Sequence, residues 1–322
     1  MLDQHYSNHP VKIAKYYLAA IFAYATWGFF SLVLKPLSGY SSVDILFYRI
    51  FSCAILMLFI TALFKRGELV KTFSNFKALP AKQRRNVLLL NVGGSIFLNI
   101  NWFSFIYVLN HVSIKATSLA YLVCPIITTL LAYWLLHEKL NKVQWAAVGL
   151  SILGCLMLSF ANMMDMVYGI VIGLTYAAYL VSQRKTVGFD KFILLTFHIS
   201  LSALMLLPFY PTYSGLIPTA TQFWLLIEVI AVGFTVIPLF LNLYALKGLN
   251  SSTVGMLLNI NPIIGFAIAV LVFHEPINPL QMAAYGIIFV SVIVFNVHSL
   301  FKKKQRNLPG RDNPDLAKEP VT

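Results

Sequence analysis

The sequence predicts an all-α membrane protein with ten transmembrane helices, arranged as two inverted five-helix repeats around a central cavity. Long apolar runs along nearly the whole chain and an internal repeat predict this fold. The 322 residues are 59% hydrophobic and only 11% charged, with a mean hydropathy of +0.77. A soluble domain carries about 25% charged residues, so this chain is too poor in charge to cover a water-facing surface.

Ten apolar segments are long enough to span a bilayer, which takes about 20 residues each. Backbone amides inside hydrocarbon must be satisfied within their segment, so these runs are predicted to be helices. The first run is long enough to be a spanning helix, and no cleavable signal peptide is predicted. The spans lie near residues 15–36, 43–64, 86–109, 115–136, 143–160, 166–183, 192–212, 223–246, 252–273 and 280–300.

The positions of lysine and arginine predict the orientation, because cytoplasmic loops carry an excess of these residues. A cytoplasmic N-terminus places 21 of the 24 in cytoplasmic segments, leaving Lys35 and Lys115 outside and Arg49 within the second span. We expect a multi-pass protein of the inner (cytoplasmic) membrane with both termini in the cytoplasm. The lysines and arginines that give the net charge of +13 lie between the spans and not on a folded basic face. The expected partners are therefore the lipid bilayer and a small-molecule substrate, not nucleic acid.

An internal repeat appears when the chain is shifted by 137 residues, which lays residues 107–149 over 244–286 without a gap. Thirteen of the 43 positions are identical. Each copy holds five spans, and an odd number inserts the second copy upside down, as in alternating-access carriers. The identical pairs that carry the match are Pro125/Pro262, Ile126/Ile263, Ile127/Ile264, His137/His274, Glu138/Glu275, Asn141/Asn278, Gln144/Gln281 and Gly149/Gly286.

The repeat divides the chain into four parts. Residues 1–14 form a cytoplasmic N-terminal segment, 15–160 the first five-helix repeat, and 166–300 the second, inverted repeat. Residues 301–322 form a basic cytoplasmic tail whose composition is typical of disorder.

Several motifs occur in a family-specific order: Trp27-Gly28, Asp44-Ile45-Leu46 with Arg49, Asn101-Trp102, Ser118-Leu119-Ala120-Tyr121 with Pro125, Glu138 with Gln144-Trp145, and Glu275 with Gln281. Their combination resembles the drug/metabolite transporter superfamily, EamA type, and within it the RarD-like proteins, over roughly residues 15–300. The resemblance implies ten helices in two inverted halves around a cavity, and movement of metabolites or drugs, usually export. Asn261 departs from the pattern, because a small residue is expected before Pro262.

The motifs of other protein classes are missing from the sequence. No Gly-rich loop ends in Gly-Lys-Ser/Thr, so transport energy is expected from a gradient or from exchange. Cys53, Cys124 and Cys155 lie in apolar segments without the spacing of a metal site or a disulfide framework. No HExxH or Gly-x-Ser-x-Gly motif occurs either. We expect no cofactor, no metal and no enzymatic activity.

Three ionisable residues fall inside predicted spans, where a charge usually faces the bundle or a wet cavity. Arg49 and Glu228 have opposite signs and lie in the outer half of the membrane, so they are candidates for substrate binding, and Glu228 for coupling or gating. Alternatively, each side chain reaches the outer headgroups and only anchors its helix. His198 is a further candidate for proton coupling, and a plain hydrogen bond within the bundle is the alternative.

Polar residues recur at helical spacing on five spans, which indicates either a cavity-lining face or hydrogen bonding between helices. The substrate-binding candidates on these faces are Trp27, Asn99, Trp102, Tyr121, Tyr179 and Asn242. The remaining members of the five faces are Ser31 and Lys35, Asn91 and Ser95, Thr117 and Thr128, Tyr168, Thr175 and Ser182, and Trp224 and Thr235.

Pro125 and Pro262 fall at matching mid-span positions, where proline kinks a helix. Both residues are gating candidates, because a pair of kinks allows the two halves to rock. The alternative is that each proline only fixes a bend that improves packing. Glu138 and Glu275 end spans four and nine, either as gating groups or as solvated charges.

The sequence therefore predicts a secondary active transporter, in the direction of export, for small organic metabolites or drugs. The proton is a candidate coupling ion, through Glu228 or His198. The alternative from another class is a non-transporting membrane sensor or assembly protein that retains the carrier fold.

Overall fold

The computed structural model describes residues 10–111, 114–159, 163–186, 188–272, 274 and 278–306, and this part of the chain is helical apart from its connections. Short 3-10 turns occur at Lys35–Leu37 and Leu207–Phe209, and one π-helical turn at Val232–Val236. The α-helices are α1 (Pro10–Gly28), α2 (Phe30–Leu34), α3 (Ser42–Phe64), α4 (Arg66–Ala78), α5 (Ala81–His111), α6 (Ile114–Leu136), α7 (Lys142–Ser159), α8 (Met163–Lys185), α9 (Lys191–Leu206), α10 (Tyr210–Tyr213), α11 (Thr221–Ala231), α12 (Ile237–Ala245), α13 (Ser251–Leu257), α14 (Ile260–Leu271) and α15 (Pro279–Arg306).

Eight helical stretches are long and apolar enough to cross a membrane: Ile13–Leu37, Ser42–Phe64, Ala81–Val108, Met166–Lys185, Lys191–Tyr213, Thr221–Ala245, Ser251–Ile268 and Pro279–Asn296. Two shorter apolar helices, Tyr121–Leu136 and Lys142–Leu158, lie where the fourth and fifth spans are predicted. The all-α, membrane-spanning class is therefore confirmed, whereas the number of ten spans stays a prediction.

The polar segment after α3 contains a helix that the sequence analysis missed. α4 follows α3 directly, and none of its residues is buried. It carries no long apolar run, which is the only helix signal that the prediction of spans used. At the other end of the chain, α15 continues to Arg306 and so extends into the predicted tail, whose residues 307–322 lie outside the described residues.

Two predicted spans of the second half are interrupted. The eighth consists of α11, the π-helical turn Val232–Val236 and α12, and the ninth consists of α13 and α14 with a break at Leu258 and Asn259. Hydropathy does not reveal these breaks, because the residues on both sides of each break are apolar and form one continuous apolar run in the sequence.

The most extensive helix packing joins the first half of the chain to the second. α1 packs on α12 and α14, α3 on α9 and α11, and α5 on α8 and α9. α6 packs on α8 and α13, and α7 on α15. This set of pairs is unchanged when the halves are exchanged, with α1 taking the place of α8, α3 of α9, α5 of α11–α12, α6 of α13–α14, and α7 of α15. A twofold relation between the halves would produce this pairing.

The repeated His-Glu motif forms the end of α6. His137 has a left-handed backbone with φ 53°, and the Glu138 amide donates to the Ala132 carbonyl at 3.2 Å, so the helix ends in a left-handed turn. His274 has φ 52° at the matching position after α14. Glu275 lies outside the described residues.

The repeated Asn and Gln begin the next helix in each half. The Gln144 amide donates to Asn141 Oδ1 at 2.9 Å, while Asn141 donates its backbone N–H to Gln144 Oε1, a reciprocal cap at the start of α7. Asn278 likewise donates its backbone N–H to Gln281 Oε1 at the start of α15, at 3.3 Å. These motif residues therefore have a structural role.

Candidate functional site

Arg49 on α3 is a buried cation without an acidic partner. Only 7% of its surface is exposed, and its guanidinium carbon lies 5.2 Å from the centre of the Trp102 ring on α5. Nε and Nη2 have no hydrogen-bond partner, and among the described residues no ion pair joins Arg49 to a carboxylate. A buried charge is costly without a partner, so this arrangement requires a specific reason.

The surroundings of Arg49 are neutral and partly aromatic. Tyr121 of α6 and Cys53 of α3 are close enough for electrostatic interaction with the guanidinium, and the Tyr121 ring lies 5.4 Å from the Phe105 ring. The site therefore combines one positive charge, aromatic surfaces and free N–H donors. A planar guanidinium with free donors can bind a carboxylate or phosphate through two parallel hydrogen bonds.

Glu228 on α11 does not form an ion pair with Arg49. Its side chain is exposed on the surface of the bundle, and Oε1 accepts a hydrogen bond of 2.6 Å from the Ser52 hydroxyl of α3. Cys53 is close enough to interact electrostatically with both charged residues. The two residues of opposite charge therefore do not pair in this structure, and the roles of Glu228 in binding and coupling stay predictions.

Asn242 of α12 lies at the centre of a polar contact between the halves. The Tyr24 hydroxyl of α1 donates to Asn242 Oδ1 at 2.9 Å, and Asn242 Nδ2 donates to the Tyr176 hydroxyl of α8 at 2.7 Å. All three side chains are buried. Neither tyrosine was among the predicted site residues, although Tyr24 precedes Trp27 by one helical turn and Tyr176 precedes Tyr179 by one.

Trp27 of α1 is fixed by a break in the opposite helix. Pro238 has no N–H and cannot donate to the carbonyl of Phe234, four residues earlier in the chain. Trp27 Nε1 donates to this carbonyl instead, at 2.7 Å. The Trp27 ring also lies 5.9 Å from the Tyr176 ring, edge to face. Trp27 and Asn242 are therefore linked through Tyr176, whose ring lies beside Trp27 and whose hydroxyl accepts from Asn242, and a cavity lined by both stays a prediction.

His198 of α9 belongs to a polar seam between α5, α8 and α9. Its Nε2 lies 3.0 Å from Asn91 Oδ1, and Asn91 Nδ2 donates to the Val87 carbonyl. Since the amide nitrogen is committed to Val87, Oδ1 is the acceptor, and the histidine proton is assigned to Nε2. Nδ1 is then an acceptor, and it is buried without a partner. The hydrogen bond that the alternative interpretation required is present, and one ring nitrogen remains available.

Further polar atoms along this seam are also unpaired. Tyr179 of α8, whose ring lies 5.7 Å from the His198 ring, has a buried hydroxyl without a partner, as does Ser202 of α9. Asn99 of α5 contacts Met205 Sδ through Nδ2, while its Oδ1 is unpaired. Buried unpaired polar atoms are uncommon, so this seam is a candidate for contact with water or solute.

The other polar faces are mostly satisfied locally. Ser31 and Lys35 are exposed, Trp224 Nε1 donates to the Pro218 carbonyl, and Tyr168 lines a pocket of about 220 Å³ between α5 and α8. The side chain of Thr117 lies outside the described residues. The hydroxyls that donate to carbonyls of their own helices are those of Ser95, Thr128, Thr175, Ser182 and Thr235.

The two prolines differ in their effect. Pro125 lies inside the continuous helix α6, whereas Pro262 follows the break between α13 and α14. Asn259 lies in that break, fully buried, and both polar atoms of its amide are unpaired. The sequence analysis did not select Asn259, although an asparagine within an apolar run was the available signal.

Glu138 joins the end of α6 to the start of α13. Its carboxylate accepts hydrogen bonds from the backbone N–H groups of Ser251 and Ser252 at 2.7 and 3.0 Å. The Ser252 hydroxyl adds a third bond of 2.6 Å. The residue is therefore a helix cap across the two halves and not merely a solvated charge.

The long apolar helices define a multi-pass membrane protein. The chain belongs to the EamA-like transporter family, which matches it twice, over residues 14–160 and 163–297.

Relatives named as transporters or as RarD share much of their length with this chain. "Uncharacterized transporter YojE" of Bacillus subtilis is 27% identical over 85% of this chain and 90% of its own length. "Protein RarD" of Streptomyces exfoliatus is 26% identical over 86% and 87%, and that of Escherichia coli 24% over 89% and 96%. One protein of known crystal structure superposes with a TM-score of 0.68 over 91% of this chain and 99% of its own, at 13% identity, which is a likeness of fold alone.

Proposed function

We propose that this protein is a secondary active transporter that exports small organic solutes with an anionic group across the cytoplasmic membrane by alternating access. Membership of a transporter family supports the transport activity. The observation that carries the anionic specificity is Arg49, a buried cation with two unpaired nitrogen atoms beside Trp102. A solute carboxylate or phosphate supplies the counter-charge that the described residues do not.

Alternating access is supported by the way the halves meet. The helices pair across the halves in a pattern that exchange of the halves leaves unchanged, and His137 and His274 adopt matching left-handed conformations. A twofold pattern of this kind is expected of inverted repeats that rock around a central site. The Glu138 cap on α13 is one contact that such a motion has to break or keep.

The proposed topology places both termini in the cytoplasm. It is supported by the distribution of lysine and arginine, 21 of 24 in the segments assigned to that side. Single cysteines at Asn141 and Asn278 test it, because the inverted repeat puts these matching caps on opposite sides. Labelling of both positions by an impermeant reagent from the same side would contradict the inverted repeat.

The first test of the substrate class compares cells that lack the protein with cells that overproduce it, by untargeted analysis of metabolites inside and outside. We expect overproduction to lower the internal level, and to raise the external level, of solutes that carry a carboxylate or phosphate. A solute found in this way is then measured in liposomes that contain the purified protein.

The second test replaces Arg49 in liposomes. Arg49→Gln removes the charge and is expected to lower transport at least tenfold, while Arg49→Lys keeps the charge but loses the two-pronged donor and is expected to retain only part of the activity. Arg66→Gln, at an exposed position at the start of α4, is the matched control and should leave transport unchanged.

Two outcomes would contradict the proposal. Wild-type transport by a correctly inserted Arg49→Gln variant would leave Arg49 as an anchor only. Absence of any solute movement by the wild-type protein, with all metabolite levels unchanged in cells, would favour the non-transporting sensor or assembly protein.

Proton coupling is proposed to use Glu228, with His198 as the second candidate. Glu228 is exposed and bonded to Ser52, so it can exchange a proton without breaking an ion pair. Glu228→Gln is expected to remove the dependence of transport on pH while leaving solute exchange intact. His198→Gln is measured in parallel, and a pH profile unchanged in both variants would exclude these residues as the coupling groups.

A further inference from the structure

A pocket of about 410 Å³ lies at the end of the bundle where α8 ends and α9 begins. Its walls are one face of α4, the α8–α9 connection, and the turn after α12. The α4 face consists of Glu68, Lys71, Thr72 and Asn75, which share one side of a helix because their spacing is i, i+3, i+4 and i+7. The helix that the sequence analysis missed therefore has a defined position over a pocket.

The charge of the pocket is positive. Four basic residues line it, namely Lys71, Arg184, Lys191 and Lys247, against the two acidic residues Glu68 and Asp190. Asp190 is already engaged, because its Oδ1 accepts the Phe192 and Ile193 amides and caps α9. The lining residues therefore carry a formal excess of two positive charges, four basic against two acidic.

Two of the lining side chains are buried. Lys191 is only 4% exposed and donates from Nζ to the Thr186 carbonyl at 3.1 Å, which holds the ammonium in place. Gln183 is fully buried, and its Oε1 has no partner. A cation held at the wall and an unpaired amide oxygen at the floor are features of a ligand site rather than of a solvated surface.

The floor of the pocket adjoins the polar seam. Gln183 Nε2 donates to Ser182 and packs so closely on Gly94 of α5 that a methyl group at Gly94 would lie 2.6 Å from it. The same methyl group would lie 3.7 Å from His198 Nε2. Gln183, which lines the pocket, and His198 therefore both approach α5 at Gly94.

Lys191 and Arg49 lie at opposite ends of the bundle. α3 and α9 run antiparallel, because Thr61 contacts Thr196 while Tyr48 contacts Tyr210 through their hydroxyls. Arg49 is therefore level with the end of α9 that is remote from Lys191. At a helical rise of about 1.5 Å per residue, the separation along the bundle is about 27 Å, close to the hydrocarbon thickness.

We infer that this pocket is the vestibule at which an anionic solute enters the transport path, with Lys191 binding its carboxylate or phosphate and Gln183 closing the floor. The inference rests on the proposed function, since it gives the same anionic solute a first binding position at the end of the path opposite Arg49. The excess positive charge attracts anions to the pocket before they reach the membrane interior.

Cysteine modification tests the charge selection without a transport assay. Thr72→Cys puts a thiol in the pocket, and Ser74→Cys puts one on the other side of α4. The native residues Cys53, Cys124 and Cys155 are buried and contribute little background. The rates of reaction are measured in detergent with two methanethiosulfonate reagents, one carrying a sulfonate and one a trimethylammonium group.

We expect the ratio of the sulfonate rate to the ammonium rate to be at least fivefold higher at Thr72→Cys than at Ser74→Cys. The ratio should fall toward the control value in 1 M salt and when Lys191→Gln or Lys247→Gln is added, because positive charge at the pocket produces it. Lys82→Gln, an exposed lysine outside the pocket, should not change it. Citrate should slow the reaction at Thr72→Cys and leave that at Ser74→Cys unchanged.

Equal ratios at the two positions, or a ratio that persists in both lysine variants, would overturn the vestibule. The exposed Lys247 keeps the test valid if Lys191→Gln does not fold. Arg49→Gln is expected to leave the ratio unchanged, so failure of the vestibule and failure of the proposed role of Arg49 give different results.

Discussion

The helix α6 and the helix pair α13–α14 are matching segments of the two halves that share the sequence Pro-Ile-Ile, but only α6 is continuous. In α6 the Thr128 hydroxyl donates to the Cys124 carbonyl at 2.8 Å, one turn after Pro125 begins to disturb the helix. The matching position after Pro262 is Gly265, which has no side chain to make such a bond. The broken segment instead contains Asn259 where α6 has Leu122.

Proline alone does not decide whether a membrane helix breaks. Both prolines remove an amide and leave a carbonyl without its helical donor. In α6 the helix continues through its proline, whereas in the second half the chain turns at Leu258 and Asn259, where the Asn261 amide donates to the Leu258 carbonyl at 3.0 Å. The second half therefore has a broken helix where the first half has a continuous one.

The largest effect is expected where α6 holds the start of the broken segment. Glu138→Ala leaves the Ser251 and Ser252 amides without their charged acceptor and should lower the free energy of unfolding by about 2–3 kcal/mol. Thermal unfolding in detergent measures it, with Lys139→Ala, an exposed neighbour, as the control. An unchanged melting temperature would mean that the cap seen here does not persist in solution.

The next largest effect is expected from a substitution that gives the broken segment the residue of the continuous one. Asn259→Leu gives the break the residue found at position 122 and removes two buried unpaired polar atoms, so stability should rise by about 1–2 kcal/mol while transport falls. The matched control is Asn242→Leu, because Asn242 is equally buried but bonded through both amide atoms. It should destabilise the protein by a similar amount, and equal signs for the two variants would contradict the contrast.

A smaller effect is expected from adding a methyl group to the glycines of the broken segment. Nothing lies within 4 Å of a Cβ at Gly265, so Gly265→Ala should stabilise α14 by about 1 kcal/mol through helix propensity. At Gly255 the same methyl group would lie 2.7 Å from Thr128, and Gly255→Ala should destabilise. Denaturation in mixed micelles compares the two, and destabilisation by both would indicate that α14 is packed more closely than described.

The smallest effect concerns the feature that the two segments share. His137 and His274 both hold left-handed backbone conformations that glycine adopts without cost. His137→Gly and His274→Gly should each raise the unfolding free energy by a few tenths to about 1 kcal/mol. Gains that agree within error would support equivalent turns in the two halves, whereas opposite signs would break the equivalence.

Composition and spacing predicted which segments lie in the membrane, because this depends on whether each segment is more stable in lipid or in water. The apolar runs predicted membrane-spanning helices, and the position of Arg49 within such a run left two alternatives open, a place inside the bundle or an anchor at the outer headgroups. The unpaired state of its nitrogens and its stacking on Trp102 depend on which helices meet, and a single sequence contains no direct record of that. The break at Asn259 and the position of Gln183 at a pocket floor escaped prediction for the same reason.

Two local motifs contain more structural information than the prediction of membrane spans uses. His-Glu followed by Asn and Gln indicates a repeat. Asn141 with Gln144 is also the signature of a reciprocal helix cap. α4 was missed because its short polar helix had no apolar face long enough to span, although the spacing of Glu68, Lys71 and Asn75 already placed them on one side.

The extensive packing between the halves has a consequence for biosynthesis. When the ribosome has delivered only the first half, Tyr24 still lacks Asn242, and Glu138 still lacks the amides of α13. The Tyr24 hydroxyl then faces lipid or the insertion machinery until the later helices arrive. Assembly of the native bundle therefore has to wait for the end of translation. Two separately encoded halves, made together in one cell, carry all the surfaces needed to find each other.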